Sequence, residues 1–259
     1  MIPFIVPPLT GLTVLVTRPE AQATALCNHI RRLGGEPIAF PAIDIEPIAT
    51  AAITSRYDLT IFTSTNAVHH GMTWLAPDHL GQVAAIGTAT RTALAARDIA
   101  VHVFPEGSAN SEALLAHPAI VSLADARVLI VRGRGGRELL RESLQARGCA
   151  VEILEVYQRV PARPSREAIA ALEQRWSEDC IDVVTATSGE IIQHLHTLCT
   201  DAGRALLMHT PLLVVSERVR DIARNLGLQG ECLMAPAADD VSLVGTLAYW
   251  RARARAAQT

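Results

Sequence analysis

The clearest pattern along the chain is a short apolar run, then a polar turn, then apolar residues at helical spacing. Residues 13–17, Thr-Val-Leu-Val-Thr, read as a fully buried parallel strand. Arg18-Pro19-Glu20 turns into a helix whose first turn tolerates Pro19. Leu26, Ile30 and Leu33 make its apolar face, and Gly34-Gly35 ends it. A strand then runs from Pro37 towards Ile45 and stops near Pro47. The same succession returns over 127–157. An apolar strand, 127–131, leads into a Gly- and Arg-rich turn, 132–137, and a helix with Leu139, Leu140 and Leu144 on one face. Gly148 stands where a left-handed residue ends that helix, and a strand runs from Val151 to Tyr157.

The match keeps register. Val14 and Val128, Arg18 and Arg132, Leu26 and Leu140, Gly34 and Gly148, and Pro47 and Pro161 all stand 114 residues apart. Asp58 and Asp182, and Ser64 and Ser188, stand 124 apart; Ile86 and Val215, and Leu114 and Leu243, stand 129 apart. The chain is therefore an internal duplication of an α/β module of roughly 120 residues, an ordinary domain size. Strands alternating with helices imply parallel sheets with right-handed crossovers. In such sheets ligands gather at the carboxyl ends of the strands. The turns at Arg18, Thr63-Ser64, Gly87-Thr88, Arg132-Gly133, Thr187-Ser188 and Ser216-Glu217 all fall there. Two modules facing each other would line one cleft with them. The loops 105–112 and 235–241 correspond, with Ser111-Glu112 and Asp239-Asp240 preceding helices, and residues 251–259 read as a frayed basic tail.

Composition narrows the classes. The 259 residues are 49% hydrophobic and 19% charged, which suits buried sheets and argues against disorder. Aromatics are 4%, too few for a surface that stacks single-stranded nucleic acid. The formal net charge is −3, so no global basic field draws nucleic acid or membrane, and an anionic ligand needs a local basic cluster. All 23 basic residues are arginine. Without lysine there is no Schiff base and no Walker A loop. The five cysteines include no Cys-x-x-Cys pair, which fits reduced cytosolic thiols. Pro3, Pro7, Pro8 and Gly11 interrupt the apolar start, against a signal peptide, and no run reaches transmembrane length. Among the histidines, His69-His70 and His194-x-His196 offer no convincing ligand set, so no metal is expected.

The candidate chemistry sits in the turns. Arg132, Arg134, Arg137 and Arg141 crowd one strand-to-helix turn, where N–H groups and guanidinium groups suit carboxylate or phosphate. For Arg18 and Arg132, carboxylate binding and a salt bridge to a nearby Asp or Glu are equal readings. Thr63, Ser64, Asn66, Thr187 and Ser188 head helices as N-cap clusters first, with ligand contact as the added reading. A two-lobed binding or sensory module without catalysis fits these features as well as an enzyme does.

A resemblance decides between them. Val-Leu-Val-Thr-Arg-Pro at 14–19, Phe-Thr-Ser-Thr-Asn-Ala-Val at 62–68 and Ala-Ile-Gly-Thr-Ala-Thr at 85–90 come first. Val-Arg-Gly at 131–133, Gly-Arg-Glu-Leu-Leu at 136–140 and Val-Tyr-Gln-Arg at 156–159 follow. In this order, over nearly the whole chain, they resemble the uroporphyrinogen-III synthase family. The resemblance implies two similar flavodoxin-like α/β/α domains joined by a two-strand linker, with a cleft between them. Domain 1 would be 1–41 plus 161–259, domain 2 would be 46–154, and 42–45 and 155–160 would link them. It implies a cytoplasmic, cofactor-independent monomer that cyclises hydroxymethylbilane, with transient contact to the preceding pathway enzyme. That chemistry inverts the last pyrrole ring and loses water. It needs groups for many carboxylates, an acid for the departing hydroxide, and above all control of orientation. Tyr157 matches the family's tyrosine and is the expected proton donor. Arg18, Thr63, Ser64, Asn66, Gly87, Thr88, Arg132, Gly133, Thr187, Ser188, Ser216, Glu217 and Arg218 are the expected substrate-binding residues. Ser216-Glu217-Arg218-Val219 stands where the family often has a Gly and a Thr.

Overall fold

A computed structural model describes residues 7–105, 107, 110–178 and 180–256. Residues 1–6 of the apolar start, 106, 108 and 109 of the 105–112 loop, and 257–259 of the tail lie outside the described residues. The chain divides into two compact units, Met1–Asp44 with Val160–Thr259, and Ile45–Arg159.

The strands are β1 (Thr13–Val16), β2 (Glu36–Ala39), β3 (Ile43–Pro47), β4 (Leu59–Phe62), β5 (Gln82–Ala85), β6 (Arg127–Gly133), β7 (Ala150–Pro161), β8 (Val183–Ala186), β9 (Leu212–Val214) and β10 (Cys232–Met234). One sheet has the order β10-β9-β8-β1-β2 and the other β3-β7-β6-β4-β5. The central pairings are parallel in both. The duplication explains the match. β6 stands for β1, β7 for β2, β4 for β8 and β5 for β9, and a parallel bridge from Ala84 to Val103 occupies the place of β10. The central strands carry apolar residues towards both faces, because helices cover both. In the first unit Leu15, Val184 and Trp176 pack on one side, and Val14, Leu26 and Leu243 on the other. In the second, Phe62, Leu129 and Val156 face one way, and Ile61, Ile130 and Leu144 the other.

The repeats agree down to single hydrogen bonds. Asp182 Oδ2 accepts from the Thr13 N–H at 2.7 Å, and Asp58 Oδ2 accepts from the Arg127 N–H at 2.7 Å. Each bond ties the start of one central strand to the residue leading into its neighbour. Gly34 (φ 84°) and Gly148 (φ 82°) both close their helices in the left-handed region, which a side chain would strain.

Three expectations change. The strand expected from Pro37 to Pro47 is two strands, β2 and β3, interrupted at Phe40–Ala42. Pro41 has no N–H to donate there, while β7, free of proline until its last residue, runs unbroken. The helix Ser111–Leu115 is capped by Asn110, whose Oδ1 accepts from Ala113 N–H at 2.8 Å, one residue before the expected Ser111-Glu112 start. The tail reading gives way as far as residue 256. The helix Asp240–Ala256 continues through it, and Arg251 and Arg255 donate to the carbonyls of Gly11 (3.1 Å) and Thr10 (2.8 Å).

Candidate active site

The site at the carboxyl ends of the second unit's strands is built around Tyr157. The β6–β7 register shifts between Arg132 and Gly133, which sets Gly133 opposite Tyr157. A side chain at Gly133 could not coexist with this arrangement, since a Cβ there would lie 2.5 Å from the Tyr157 Cζ and 2.9 Å from its hydroxyl. With the Gly133 backbone packed against it, the tyrosine is only 2% exposed. Its hydroxyl meets Ser64 Oγ at 3.0 Å. Ser64 also caps the helix Thr65–Gly71, accepting from the Ala67 N–H at 3.0 Å. The Ser64 oxygen thus joins a backbone donor to the phenol.

Two cationic or titratable groups flank the ring. The His70 imidazole lies 6.0 Å away, centroid to centroid, and the Arg159 guanidinium is 6.0 Å from the ring centre. Burial, and then the neighbouring His69, push the His70 pKa below its ordinary value, which favours a neutral imidazole. Thr63 extends the β4–β6 pairing, with both its N–H and its hydroxyl donating to the Val131 carbonyl at 3.2 Å. Asn66 is half-buried in the following turn. On the next strand Gly87 caps the helix Thr88–Ala95 with no side chain, and Thr88 is exposed.

The expected arginine cluster is present, but each member meets a carboxylate of this chain. Arg132, 8% exposed, reaches Glu138 at 2.8 Å and Glu155 at 3.4 Å, and it also donates to the carbonyls of Gly136 and Arg137. Arg134 lies 3.5 Å from Glu155 and donates to Gln158 at 3.0 Å. Arg137 pairs with Glu112 and Arg141 with Glu138, both at 2.7 Å. The Arg132 hydrogen bond holds the Glu138 carboxyl below the usual carboxylate range.

The first unit presents a plainer edge. Arg18, 5% exposed, pairs with Asp240 at 2.7 Å and donates to the Ala238 carbonyl. Arg18 and Arg132 thus both hold internal ion pairs and shape their turns from within. Thr187 and Ser188 follow β8, and Ser188 Oγ accepts from Ile191 N–H at 3.2 Å. Ser216 caps the helix Glu217–Asn225. Glu217 and Arg218 are exposed there, with Glu217 paired to Arg220.

Sequence reasoning missed His70 beside the tyrosine and the acidic partners Glu138, Glu155 and Asp240. A usable signal existed for one of them: His70 and His194 keep the 124-residue spacing. Away from this site, Tyr57 donates to Glu152 at 2.5 Å beside a cavity of about 400 Å³, lined also by Arg127 and Cys149. Burial, with that carboxylate, pushes the Tyr57 hydroxyl up to about 12. Tyr57 and Arg127 lie at the amino ends of β4 and β6, opposite the Tyr157 edge.

Comparison with known proteins agrees with this architecture. The family model described as uroporphyrinogen-III synthase HemD matches residues 24–244. The uroporphyrinogen-III synthase of Escherichia coli (strain K12) is 34% identical over 91% of this chain and all of its own length. That of Salmonella typhimurium is 35% identical over the same shares. Among solved structures, the uroporphyrinogen-III synthetase of Helicobacter pylori matches with a TM-score of 0.61 at 10% identity, over 90% of this chain and 97% of its own. A mutant of the Thermus thermophilus enzyme matches with a TM-score of 0.53 at 19% identity, over 95% and 100%.

Proposed function

Because this chain belongs to the uroporphyrinogen-III synthase family, we propose that the carboxyl ends of its strands bind hydroxymethylbilane and that Tyr157 supplies the proton for loss of its hydroxyl group. The enzyme is a cyclising lyase of tetrapyrrole biosynthesis. It closes the linear substrate with inversion of the last pyrrole ring and release of water. The observation that carries the site reading is the phenol held between Gly133 and Ser64, at the end of the sheet where α/β proteins bind ligands.

The chemistry sets separate tasks. Departure of hydroxide needs a proton donor, and a phenol holds its proton at neutral pH. The substrate's acetate and propionate groups need donors. Thr63, Ser64, Asn66, Gly87, Thr88 and Gly133 in the second unit, and Thr187, Ser188, Ser216 and Arg218 in the first, offer hydroxyl, N–H or guanidinium groups for them. Arg18 and Arg132 stabilise the turns that carry those donors. Glu217, exposed beside Arg218 and paired with Arg220, is the acidic member of the first unit's group. Holding the flexible chain so that the last ring attacks through its substituted carbon is catalysis by orientation.

The proposal includes the discontinuous domain 1–41 with 161–259, the inserted domain 46–154, a monomeric state, a cytoplasmic location and transient contact with the enzyme that makes hydroxymethylbilane. Among the described residues, no helix is long and apolar enough to cross a membrane.

The test is an isomer ratio. Hydroxymethylbilane is generated in situ, the protein is added without metal or nucleotide, and the oxidised products are separated. Type III porphyrin should dominate in proportion to protein. Type I alone from folded protein would overturn the reading and leave a two-lobed binder that holds ligand without turnover. Tyr157→Phe should slow type III formation by about 100-fold or more, the range of a lost general acid.

A further inference from the structure

The burial of Tyr157 poses a problem for its role. At 2% exposure, with Gly133 close against ring and hydroxyl, the phenol is almost wholly enclosed by protein. Its hydroxyl does touch one polar side chain, Ser64, which is only half-buried and heads the helix at the end of β4. We propose that Ser64 is the catalytic hydroxyl that touches the substrate and that Tyr157 acts through it, as the inner member of a two-hydroxyl proton relay. This inference rests on the assignment of Tyr157 as the acid.

Ser64 is suited to pass a proton. Its oxygen accepts from the Ala67 N–H at 3.0 Å, which leaves one O–H to donate outward and one lone pair to receive from Tyr157 at 3.0 Å. In the forward step the Ser64 proton goes to the substrate's hydroxymethyl oxygen. The C–O bond breaks, its electron pair leaves with that oxygen as water, and a cation remains on the pyrrole chain. The Tyr157 proton moves onto Ser64 as this happens, leaving the negative charge on the phenolate. After ring closure the pyrrole loses a proton to restore aromaticity, and that proton returns through Ser64 to Tyr157. The cycle therefore balances without a further reactant. The two transfers are concerted, because a serine alkoxide formed between them would be a far stronger base than a phenolate. The Ala67 N–H favours the moment when charge is shared across both oxygens.

The experiment is a double-mutant cycle with a proton inventory. Rates of type III formation are measured for the wild type, Ser64→Ala, Tyr157→Phe and the double variant, in mixtures of H2O and D2O. The relay predicts that the two single variants and the double variant lose the same factor, about 100-fold or more, because the pair works as one unit. It predicts a curved dependence on deuterium fraction in the wild type, from two protons in flight. Ser64→Thr should keep the curvature and most of the rate. Ser64→Asn keeps an acceptor for Ala67 N–H without a hydroxyl, so it should match Ser64→Ala even if the alanine variant folds poorly. Loss in Tyr157→Phe with full activity in Ser64→Ala overturns the relay and leaves Tyr157 as a direct donor. Loss in Ser64→Ala alone, or in neither, overturns the Tyr157 assignment as well. A linear inventory in the wild type overturns the relay by itself.

Discussion

The turn after β1 and the turn after β6 descend from one pattern, yet they are put to different use. Each has a buried arginine at the strand end, Arg18 in one and Arg132 in the other. Arg18 takes its carboxylate from Asp240, 222 residues along the chain, whereas Arg132 takes Glu138 from within its own turn and Glu155 from the next strand. The residue that follows is Pro19 in one unit and Gly133 in the other. Across the pairing strand, 114 residues separate Ile43 from Tyr157. The duplicated frame therefore supplies the sheet, the caps and the buried cation twice. It supplies the phenol once, beside the one turn whose glycine leaves room for it. Duplication built a symmetric scaffold, and the phenol proposed as the acid stands in a single copy.

The sharpest way to break that asymmetry is Gly133→Val. A Cβ at 2.5 Å from the ring forces Tyr157 out of place, so activity should fall about 100-fold, the scale of a misplaced general acid. Stability should fall by about 1–3 kcal/mol from overpacking. Gly135→Ala is the control. It lies two residues on at φ 73° with open space around it, so it should cost about 1 kcal/mol of stability from backbone strain alone. Isomer assays and urea melts read both. Normal turnover by a folded Gly133→Val protein would remove the packing argument for Tyr157.

Arg132→Ala and Arg18→Ala test the shared part of the frame. Breaking a buried pair is costly because a carboxylate loses its partner. Here the abandoned carboxylates are partly solvated, at 39% and 31% exposure for Glu138 and Glu155 and 27% for Asp240. The loss should therefore be about 2 kcal/mol in each case, below the range for fully buried pairs. Arg132→Ala should be the worse of the two, since it frees two carbonyls, those of Gly136 and Arg137, where Arg18→Ala frees that of Ala238. Urea unfolding that leaves either variant as stable as the wild type would show that its guanidinium does not hold the turn.

Much of this was legible in the residues because it repeats. Constant spacings of 114, 124 and 129 residues expose the duplication, and apolar runs bounded by capping residues place the strand ends. The break at Pro41 had no signal in the apolar pattern, and the cap at Asn110 falls one residue before Ser111, since local hydrogen bonding decides such boundaries. The site was legible only as types of residue. That Arg132, Arg134, Arg137 and Arg141 are met by Glu112, Glu138 and Glu155 depends on which turns and strands become neighbours. The contact between Ser64 and Tyr157, 93 residues apart, exists because β4 and β7 flank β6. No spacing rule announces it.

The equivalent caps sharpen the comparison at a smaller scale. Ser64 and Ser188 each accept from the N–H three residues on, at 3.0 and 3.2 Å. Replacing either with alanine should lower stability by about 1 kcal/mol. Ser64→Ala should also flatten the deuterium inventory to a straight line, whereas Ser188→Ala should leave the curvature in place. Curvature lost in both would mean that the effect follows helix capping and not the phenol.

The smallest effect concerns Glu138, which sits inside the second unit's turn where the first unit has Thr24. Hydrogen bonding from Arg132 is the main reason its carboxyl titrates below the usual range; the charges of Arg132 and Arg141 reinforce it, against partial desolvation. A depressed folded-state value means that the unfolded chain takes up the proton first as the solution is acidified. The stabilisation is therefore fully present above the unfolded carboxylate value of about 4.3 and fades as pH falls through the folded value. Glu138→Gln keeps the shape and removes the charge. Its melting temperature should lie slightly below that of the wild type at neutral pH, and the two curves should converge as the wild-type carboxyl protonates, below about pH 4. A gap of constant size across that range would mean that Arg132 values the geometry of its partner and not its charge. It would then be the two carbonyls and Glu155, more than Glu138, that keep this arginine buried in its turn.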